Sequence, residues 1–365
     1  NFMYSFNGNI VSGSAISDYV NKTIAWEKKK STSIGFDLGM LNGQIDFTFE
    51  WYKNVSEDLL YNVPIPSTTG VSNTTVTMNA AEMENSGFEW SASYRNFKHK
   101  VKYEIAVNAS TCKNKVVSLG FGNDYYIEGD AYTKLGEELG QHYGYVYKGI
   151  IKDDAQLKQW NDYAVSKGVE TGEYQKGARV GDCLYEDLNA DGQITEDDRQ
   201  ILESGMPKFN FGISGRVEYK NWDLSVSTFG VLGFHVSDHI YNMLTSHYGT
   251  GNKDPEVMSG SPNVYYSATD ANQGLAWNDL FSSRRIQNAS YWKIANMELG
   301  YNFNDAWFHG IISNVRAYIS AQNLATLTKY KGYNVDYAPG TFTPGFNYCS
   351  YPTPRTFMFG LKCSF

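Results

Sequence analysis

The residues best equipped for chemistry stand together at 187–198, DLNADGQITEDD. Asp187, Asn189 and Asp191 place side-chain oxygens at every second position; Gly192, Gln193 and finally Asp198 follow. A hard cation such as Ca²⁺ must be surrounded by many oxygens, and this spacing supplies them from a single turn. Side chains serve at loop positions 1, 3 and 5, a backbone carbonyl at 7 and a carboxylate at 12. Asp187, Asn189, Asp191, Gln193 and Asp198 are therefore the expected ligands of a structural Ca²⁺ that braces a loop. Asp in place of Glu at the last position predicts a weak site. The bland reading of the same residues is a solvated acidic turn, and neither reading is catalytic.

Nothing else in the chain assembles a reaction centre. Hydrolysis by paired acids needs two carboxylates facing each other across a bond. Neighbours such as Glu82/Glu84 and Asp153/Asp154 are solvated pairs in loops. The histidines are scattered, none in an HExxH pattern, and Cys112, Cys183, Cys349 and Cys363 lack zinc-ligand spacing. No catalytic residue is expected, and the chain reads as a non-enzyme.

The elements that must position the acidic loop are strands. In 33–53, SIGFDLGMLNGQIDFTFEWYK, Ile34, Phe36, Leu38 and Met40 alternate with small or polar residues, then Ile45, Phe47, Phe49 and Trp51 do the same. Strand side chains switch face at every residue, so each half has one apolar and one polar surface. Asn42-Gly43 between them suits the positive φ angles of a tight hairpin. Phe88, Trp90, Ala92 and Tyr94 pair similarly with Val101, Tyr103, Ile105 and Val107. Phe209, Phe211, Ile213, Val217 and Tyr219 turn at Lys220-Asn221 into Trp222, Leu224 and Val226. Strands 291–303, 314–323 and 355–365 close the series, and with an opening alternating stretch over 1–10 the count is ten.

Composition says what the apolar faces meet. The chain has 365 residues, 15% of them aromatic, a heavy load for a soluble enzyme but ordinary for a barrel with aromatic girdles at both membrane surfaces. No run approaches the roughly 18 apolar residues of a spanning helix. A mean hydropathy of −0.44 suits a barrel whose lumen and loops are polar. Net charge of −8 disfavours nucleic acid as a partner. Short turns (at 42, 97, 221 and about 304–313) alternate with long loops (54–86, 111–207, 233–290, 324–354). Outer-membrane barrels have this asymmetry, short turns periplasmic and long loops outside. A soluble sandwich has no reason to collect its long loops at one end. The 111–207 insertion has its own elements: a short strand in QHYGYVYKG and a helix in DDAQLKQWNDYAVSKG capped by Asp154. The parity of strands leaves the C-terminus periplasmic.

Several stretches resemble, in order, the C-terminal part of the SusC/RagA-like TonB-dependent outer-membrane transporters of Bacteroidetes. They are SIGFDLGML, VPIPSTTG, NAAEMENSGFEW, DLNADGQITEDD with PKFNFGISG, ASYWKIANMELGYNF, AYISAQNLATLTKYKGY and YPTPRTFMFGLKCSF. The resemblance implies an all-β fold, an antiparallel transmembrane β-barrel segment of about ten strands with long extracellular loops. That segment would be the C-terminal half of a 22-stranded barrel. It also implies import of glycan fragments or oligopeptides with a SusD-like lipoprotein over the mouth and TonB as energy source. The plug and first barrel half are not in this sequence, nor are the residues that couple to TonB. Phe357, Phe359, Leu361 and Phe365 on the last alternating strand resemble the signal read by the barrel-assembly machinery.

The ligand-binding residues are not identified by the sequence; the candidates are the loop aromatics Tyr143, Tyr145, Trp160, Tyr265, Tyr266 and Trp277. Such rings stack on sugars or peptide side chains, yet more often pack loops together. Inward polar residues (Asp46, Glu50, Glu89, Arg95, Lys102, Glu104, Arg216, Glu218, Glu298, Arg316) would line the lumen. Two rival readings are a soluble calcium-braced carbohydrate-binding module and a passive ten-stranded pore.

Overall fold

The computed structural model describes residues 2–13, 20–65, 68, 75–120, 122–245, 252–255, 275–303, 314–337 and 340–364. In chain order the first strands are β1 (Phe2–Phe6), β2 (Asn9–Gly13), β3 (Lys28–Met40), β4 (Ile45–Pro64), β5 (Thr75–Asn96), β6 (Val101–Thr111) and β7 (Lys113–Ser118). A lobe follows, made of β8 (Tyr125–Glu128), β9 (Ala131–Lys134), β10 (Gln141–Gly144), β11 (Tyr147–Ile150), α1 (Asp154–Ser166), β12 (Cys183–Tyr185) and β13 (Gln200–Ile201). The chain returns through β14 (Phe209–Tyr219) and β15 (Trp222–Leu232). After β16 (His235–Asp238), α2 (His239–Thr245), α3 (Leu275–Asn278) and β17 (Ile286–Asn288), it ends with β18 (Tyr291–Asn302), β19 (Asn314–Thr328), β20 (Phe346–Asn347) and β21 (Thr356–Ser364).

The long strands make one antiparallel wall in the order β21-β19-β18-β15-β14-β6-β5-β4-β3. β7 adds to β5 just beyond the end of β6. Its two ends, β3 and β21, are not paired with each other. Register carries the alternation across every seam. Ile34 faces Trp51, Trp51 faces Phe88, Val107 faces Ile213, Leu299 faces Ile319, and Ile319 faces Phe359. The apolar set thus occupies one continuous surface, and much of it is open: Ile34, Phe36, Phe88, Ile319, Phe357 and Phe359 are all exposed. Aromatic rows border it at both ends. Tyr94, Tyr103, Tyr219, Trp222 and Tyr301 sit toward the short turns, with the Trp222 and Tyr301 rings 4.9 Å apart. Phe49, Trp51, Phe88, Trp90, Phe209 and Trp292 sit toward the long loops. An apolar band between two aromatic girdles is the outer surface of a membrane barrel. No helix among the described residues is long and apolar enough to cross a membrane.

Four details depart from the sequence reading. The opening stretch is not a wall strand: β1 and β2 form a separate hairpin around Asn7 and Gly8, both at positive φ. An Asn-Gly pair drives that turn as it does at 42–43. The wall consequently has nine consecutive strands, with β7 as the tenth member of the sheet. Second, 54–86 is mostly ladder: β4 continues to Pro64 and β5 starts at Thr75, with a register shift beside Asp58. The polar run Ser56-Glu57-Asp58 interrupts the alternation there, and the apolar face that resumes with Leu59, Tyr61 and Val63 is covered by Ala81, Tyr126 and Phe342. Third, α1 is capped by Asp153, whose carboxylate accepts from the Gln156 amide at 2.8 Å, not by Asp154. Fourth, β19 runs on to Thr328, beyond the expected end at 323. The expected turn at 304–313 lies outside the described residues.

Beyond the long-loop end of the wall, the insertion builds an ordinary interior. Ile151, Ala164, Tyr174, Cys183, Leu184 and Tyr185 are its buried centre. A second cluster of Phe234, Val236, Ala289, Tyr291 and Tyr330 joins the later loops to the top of the wall.

Candidate lumen and long-loop lobe

The polar face of the wall carries every charged residue expected to line the lumen, in the register the alternation requires. Arg95 faces Glu104, which faces Arg216; Lys102 faces Glu218. Arg95 pairs with Asp46, and Arg216 with Glu218 at 2.8 Å. Arg316 reaches Glu298 at 2.7 Å and, through Nε, Asp223 at 3.0 Å. Asp223 was not anticipated, although its place between the outward Trp222 and Leu224 is the signal that finds it. Its carboxylate is buried and also accepts from Asn302 at 3.0 Å. These pairs gather toward the short-turn end. Nearer the long loops, Glu50 and Glu89 are directly opposed across the β4–β5 ladder, and among the described residues no cation lines the concavities they border. Like charges facing each other are unfavourable unless a third group neutralises them. They border a concavity of about 620 Å³ with Ser91, Asn108, Ser110 and Asn210. That surface accommodates a polar or cationic group from within the lumen.

In the lobe, the 187–198 segment is a tight turn with its oxygens engaged by its own amides. Asp187 Oδ2 accepts from Gly192 N at 2.8 Å, Asn189 Oδ1 from Asp191 N at 2.9 Å, and Asp191 Oδ1 from Gln193 N at 2.9 Å. Gly192 has φ +94, and a Cβ there would strike the Lys167 side chain at 2.5 Å, so only glycine fits the turn. Asp198 is fully buried. One of its oxygens accepts from Leu188 N and the other from Thr195 N, both at 2.8 Å. It closes a capping box with Thr195. Among the described residues no three His, Cys, Asp or Glu side chains converge as a metal-holding group. The oxygens of Asp187, Asn189 and Asp191 nevertheless share one turn, so a cation would draw on these three and the Gln193 carbonyl. Asp198 would act as the brace behind them.

The aromatic candidates serve the lobe interior. Tyr145 is buried, its ring 5.3 Å from Tyr185. Tyr143 is held between Tyr132, at 4.5 Å, and the Arg199 guanidinium, also at 4.5 Å. Both contacts occupy ring surface that a ligand would otherwise stack on. Trp160 packs on Tyr174 at 4.8 Å, and Trp277 donates to the Lys176 carbonyl at 2.8 Å. Tyr265 and Tyr266 lie outside the described residues. His142, absent from the expectations, is completely buried between Phe281 and Phe346. Its Nδ1 and Nε2 each stand 3.1 Å from a backbone carbonyl, Glu203 and Gly345. Burial dominates and pushes its pKa down to about 4. Gly345, at φ +82, lets that carbonyl approach, since a Cβ would meet the imidazole at 2.7 Å. The His142 contacts tie β10 to the 202–205 and 340–347 segments.

On the last strand, Phe357, Phe359 and Leu361 face outward with Cys363, while Phe365 lies outside the described residues.

A single-walled antiparallel sheet with an apolar outside, a charged inside and a lobed loop end defines a membrane β-barrel of the receptor type. The chain belongs to the TonB dependent receptor-like, beta-barrel family, whose model matches residues 1–324. It is 29% identical over 97% of its length to TonB-dependent receptor P3 of Formosa agariphila, and 28% over 94% to TonB-dependent receptor SusC of Bacteroides thetaiotaomicron. It spans about a third of those relatives, 36% and 32% of their lengths. Its fold matches the structure of the RagAB peptide transporter with a TM-score of 0.75 at 20% identity, covering 100% of this chain and 38% of the other.

Proposed function

We propose that this chain is the C-terminal part of an outer-membrane importer of the SusC/RagA type, its C-terminus in the periplasm. The carrying observation is the unbroken division of the wall into an apolar outside and a charged inside over nine strands, with free edges at β3 and β21. Unpaired strand edges in hydrocarbon cost several kcal/mol per group. A further set of strands must therefore join them, which disfavours the passive ten-stranded pore. The N-terminal barrel half and its plug would fill the lumen against Glu50 and Glu89. TonB would supply energy through that missing region, and a SusD-like lipoprotein would sit over the lobe. Glycan fragments or oligopeptides are the proposed cargo, and the outward Phe357, Phe359 and Leu361 would be read, with Phe365, by the barrel-assembly machinery.

The test combines intact mass of the native polypeptide, isolated from outer membranes, with uptake of labelled oligosaccharides and peptides. A much larger polypeptide, a co-purifying lipoprotein and uptake abolished by an uncoupler are expected. A mass equal to this chain, or uptake indifferent to uncoupling, overturns the reading.

A structural Ca²⁺ in the 187–198 loop belongs to the same proposal. Asp187→Ala with Asp191→Ala should abolish calcium-dependent protection of 187–205 from protease; unchanged protection rejects the metal.

A further inference from the structure

The outward face of β3, β4, β5 and β7 changes character abruptly just above the aromatic girdle. One ladder step beyond Ile34, Trp51 and Phe88, the row Thr32–Lys53–Ser86–Lys113 crosses four strands. The next outward row is Lys30–Val55–Glu84–Lys115, and Lys28 opposite Glu57 lies above it. Same-face residues are two apart along a strand, about 7 Å. Five lysines from three strands therefore occupy a patch beginning about 7 Å above the apolar band. Three are held by carboxylates: Lys28 by Asp58 at 2.7 Å, Lys30 by Glu57 at 2.5 Å and Lys53 by Glu84 at 2.8 Å. Lys113 and Lys115 are exposed and have no such partner among the described residues. The patch keeps an excess of positive charge on a chain whose net charge is −8.

The patch is local. On β14, β15 and β18 the outward positions at the loop end are Phe209, Leu232 and Trp292. Completing the barrel would cover the edges of the wall, not this face, so the patch stays open to the membrane.

We infer that this surface binds the phosphorylated headgroup of an anionic lipid in the extracellular leaflet, with Lys113 and Lys115 as its principal contacts. The occupant follows from continuity. Ile34, Trp51 and Phe88 offer an apolar bed, and the ammonium groups stand directly above it. The matching molecule is apolar along its length and anionic at its upper end. A protein partner or a free anion matches only one of those halves. Lysine stems lie along apolar surface and lift their charge to the interface, which suits this depth. Glu57 and Asp58 hold Lys30 and Lys28, and Glu84, which faces Lys115 across the ladder, holds Lys53.

The inference rests on the outer-membrane reading above. Its test uses the full transporter polypeptide in zwitterionic nanodiscs doped with lipid A, with dephosphorylated lipid A as the control. The readout is lipid A retained per protein by native mass spectrometry. Lys113→Ala with Lys115→Ala should lose roughly 25-fold in retention, about fivefold per lysine, while Lys113→Arg with Lys115→Arg retains it. Unchanged binding by the double alanine variant overturns the inference. So does equal retention of the dephosphorylated lipid, or displacement by millimolar inorganic phosphate alone. If the polypeptide fails to enter nanodiscs, the membrane reading itself falls. An alanine variant that alters oligomeric state instead of lipid A retention assigns the patch to protein contact and overturns it.

Discussion

In the wall, Phe357 and Phe359 leave 71% and 76% of their surfaces open, whereas in the lobe Tyr185 and Ile151 leave 0% and 1%. Both regions are rich in large apolar side chains, but they satisfy them in opposite directions. The lobe packs rings against one another and hydrogen-bonds buried polar groups between them, as Tyr174 does by donating to the Tyr185 carbonyl at 2.9 Å. In the wall the ladders pair the peptide groups between the β3 and β21 edges, and the apolar face is left for lipid. Exposure therefore signals instability in one region and function in the other.

The largest expected break in this comparison is Tyr185→Ala. It removes a fully buried ring whose hydroxyl donates to the Trp277 carbonyl. A loss of about 3–5 kcal/mol is expected, confined to the lobe. Protease should then cut within 111–207 while the wall keeps its heat-modifiable migration on gels. Loss of the wall signal as well would show that the two regions fold as one unit.

Next comes Phe359→Arg on the lipid face, expected to cost about 2–4 kcal/mol near the middle of the bilayer. Outer-membrane abundance should fall sharply. On the opposite face of β19, Gln322→Arg should leave abundance unchanged, because its side chain is exposed on the polar side of the wall. Equal losses from the two would contradict the division of faces.

Acid should loosen the lobe before the wall. His142 stays neutral in the folded protein down to about pH 4, while an exposed histidine takes a proton near pH 6.5. Between those values the unfolded chain binds a proton that the folded lobe refuses, so stability falls as pH is lowered through the window. The loss is complete below about pH 4 and reaches about 3 kcal/mol at most. Asp130 and Asp182, whose carboxyls burial pushes upward, act in the opposite sense. Hydrogen exchange in β10 at pH 5 against pH 7.5 should show the effect, and His142→Gln should flatten it.

The smallest change is Lys158→Ala, which removes an exposed helix pair with Asp162 at 2.7 Å. Less than about 0.5 kcal/mol is expected. A larger drop in lobe protease resistance would mean that α1 depends on its surface as well as on Trp160 and Ala164.

Much of this architecture was legible because a period of two is a local property. Ile45, Phe47, Phe49 and Trp51 announce their shared face without knowledge of any neighbour, and Asn42-Gly43 announces the turn. The same local chemistry placed Gly192 at the only residue type its φ permits. Other features depended on partners distant in the chain. In the upper reaches of β4 and β5 the polar run Ser56-Glu57-Asp58 breaks the alternation, and only the pairing of the two strands and the lobe packed on Tyr61, Val63 and Ala81 mark them as sheet. Tyr143 and Tyr145 look alike in sequence, but one is clasped by Arg199 and the other sealed against Tyr185.

By itself the sequence determined the faces, the turns and the unequal ends of the wall, since each follows from residue type and spacing along a short stretch. Tertiary structure alone decided which charges neutralise each other. Asp223 and Arg316 are 93 residues apart, and His142 meets Gly345 across 203. It likewise brought Lys28, Lys30, Lys53, Lys113 and Lys115 to one height on one face. Coulombic and packing energies fall off over a few ångströms of space, and chain order does not report that distance.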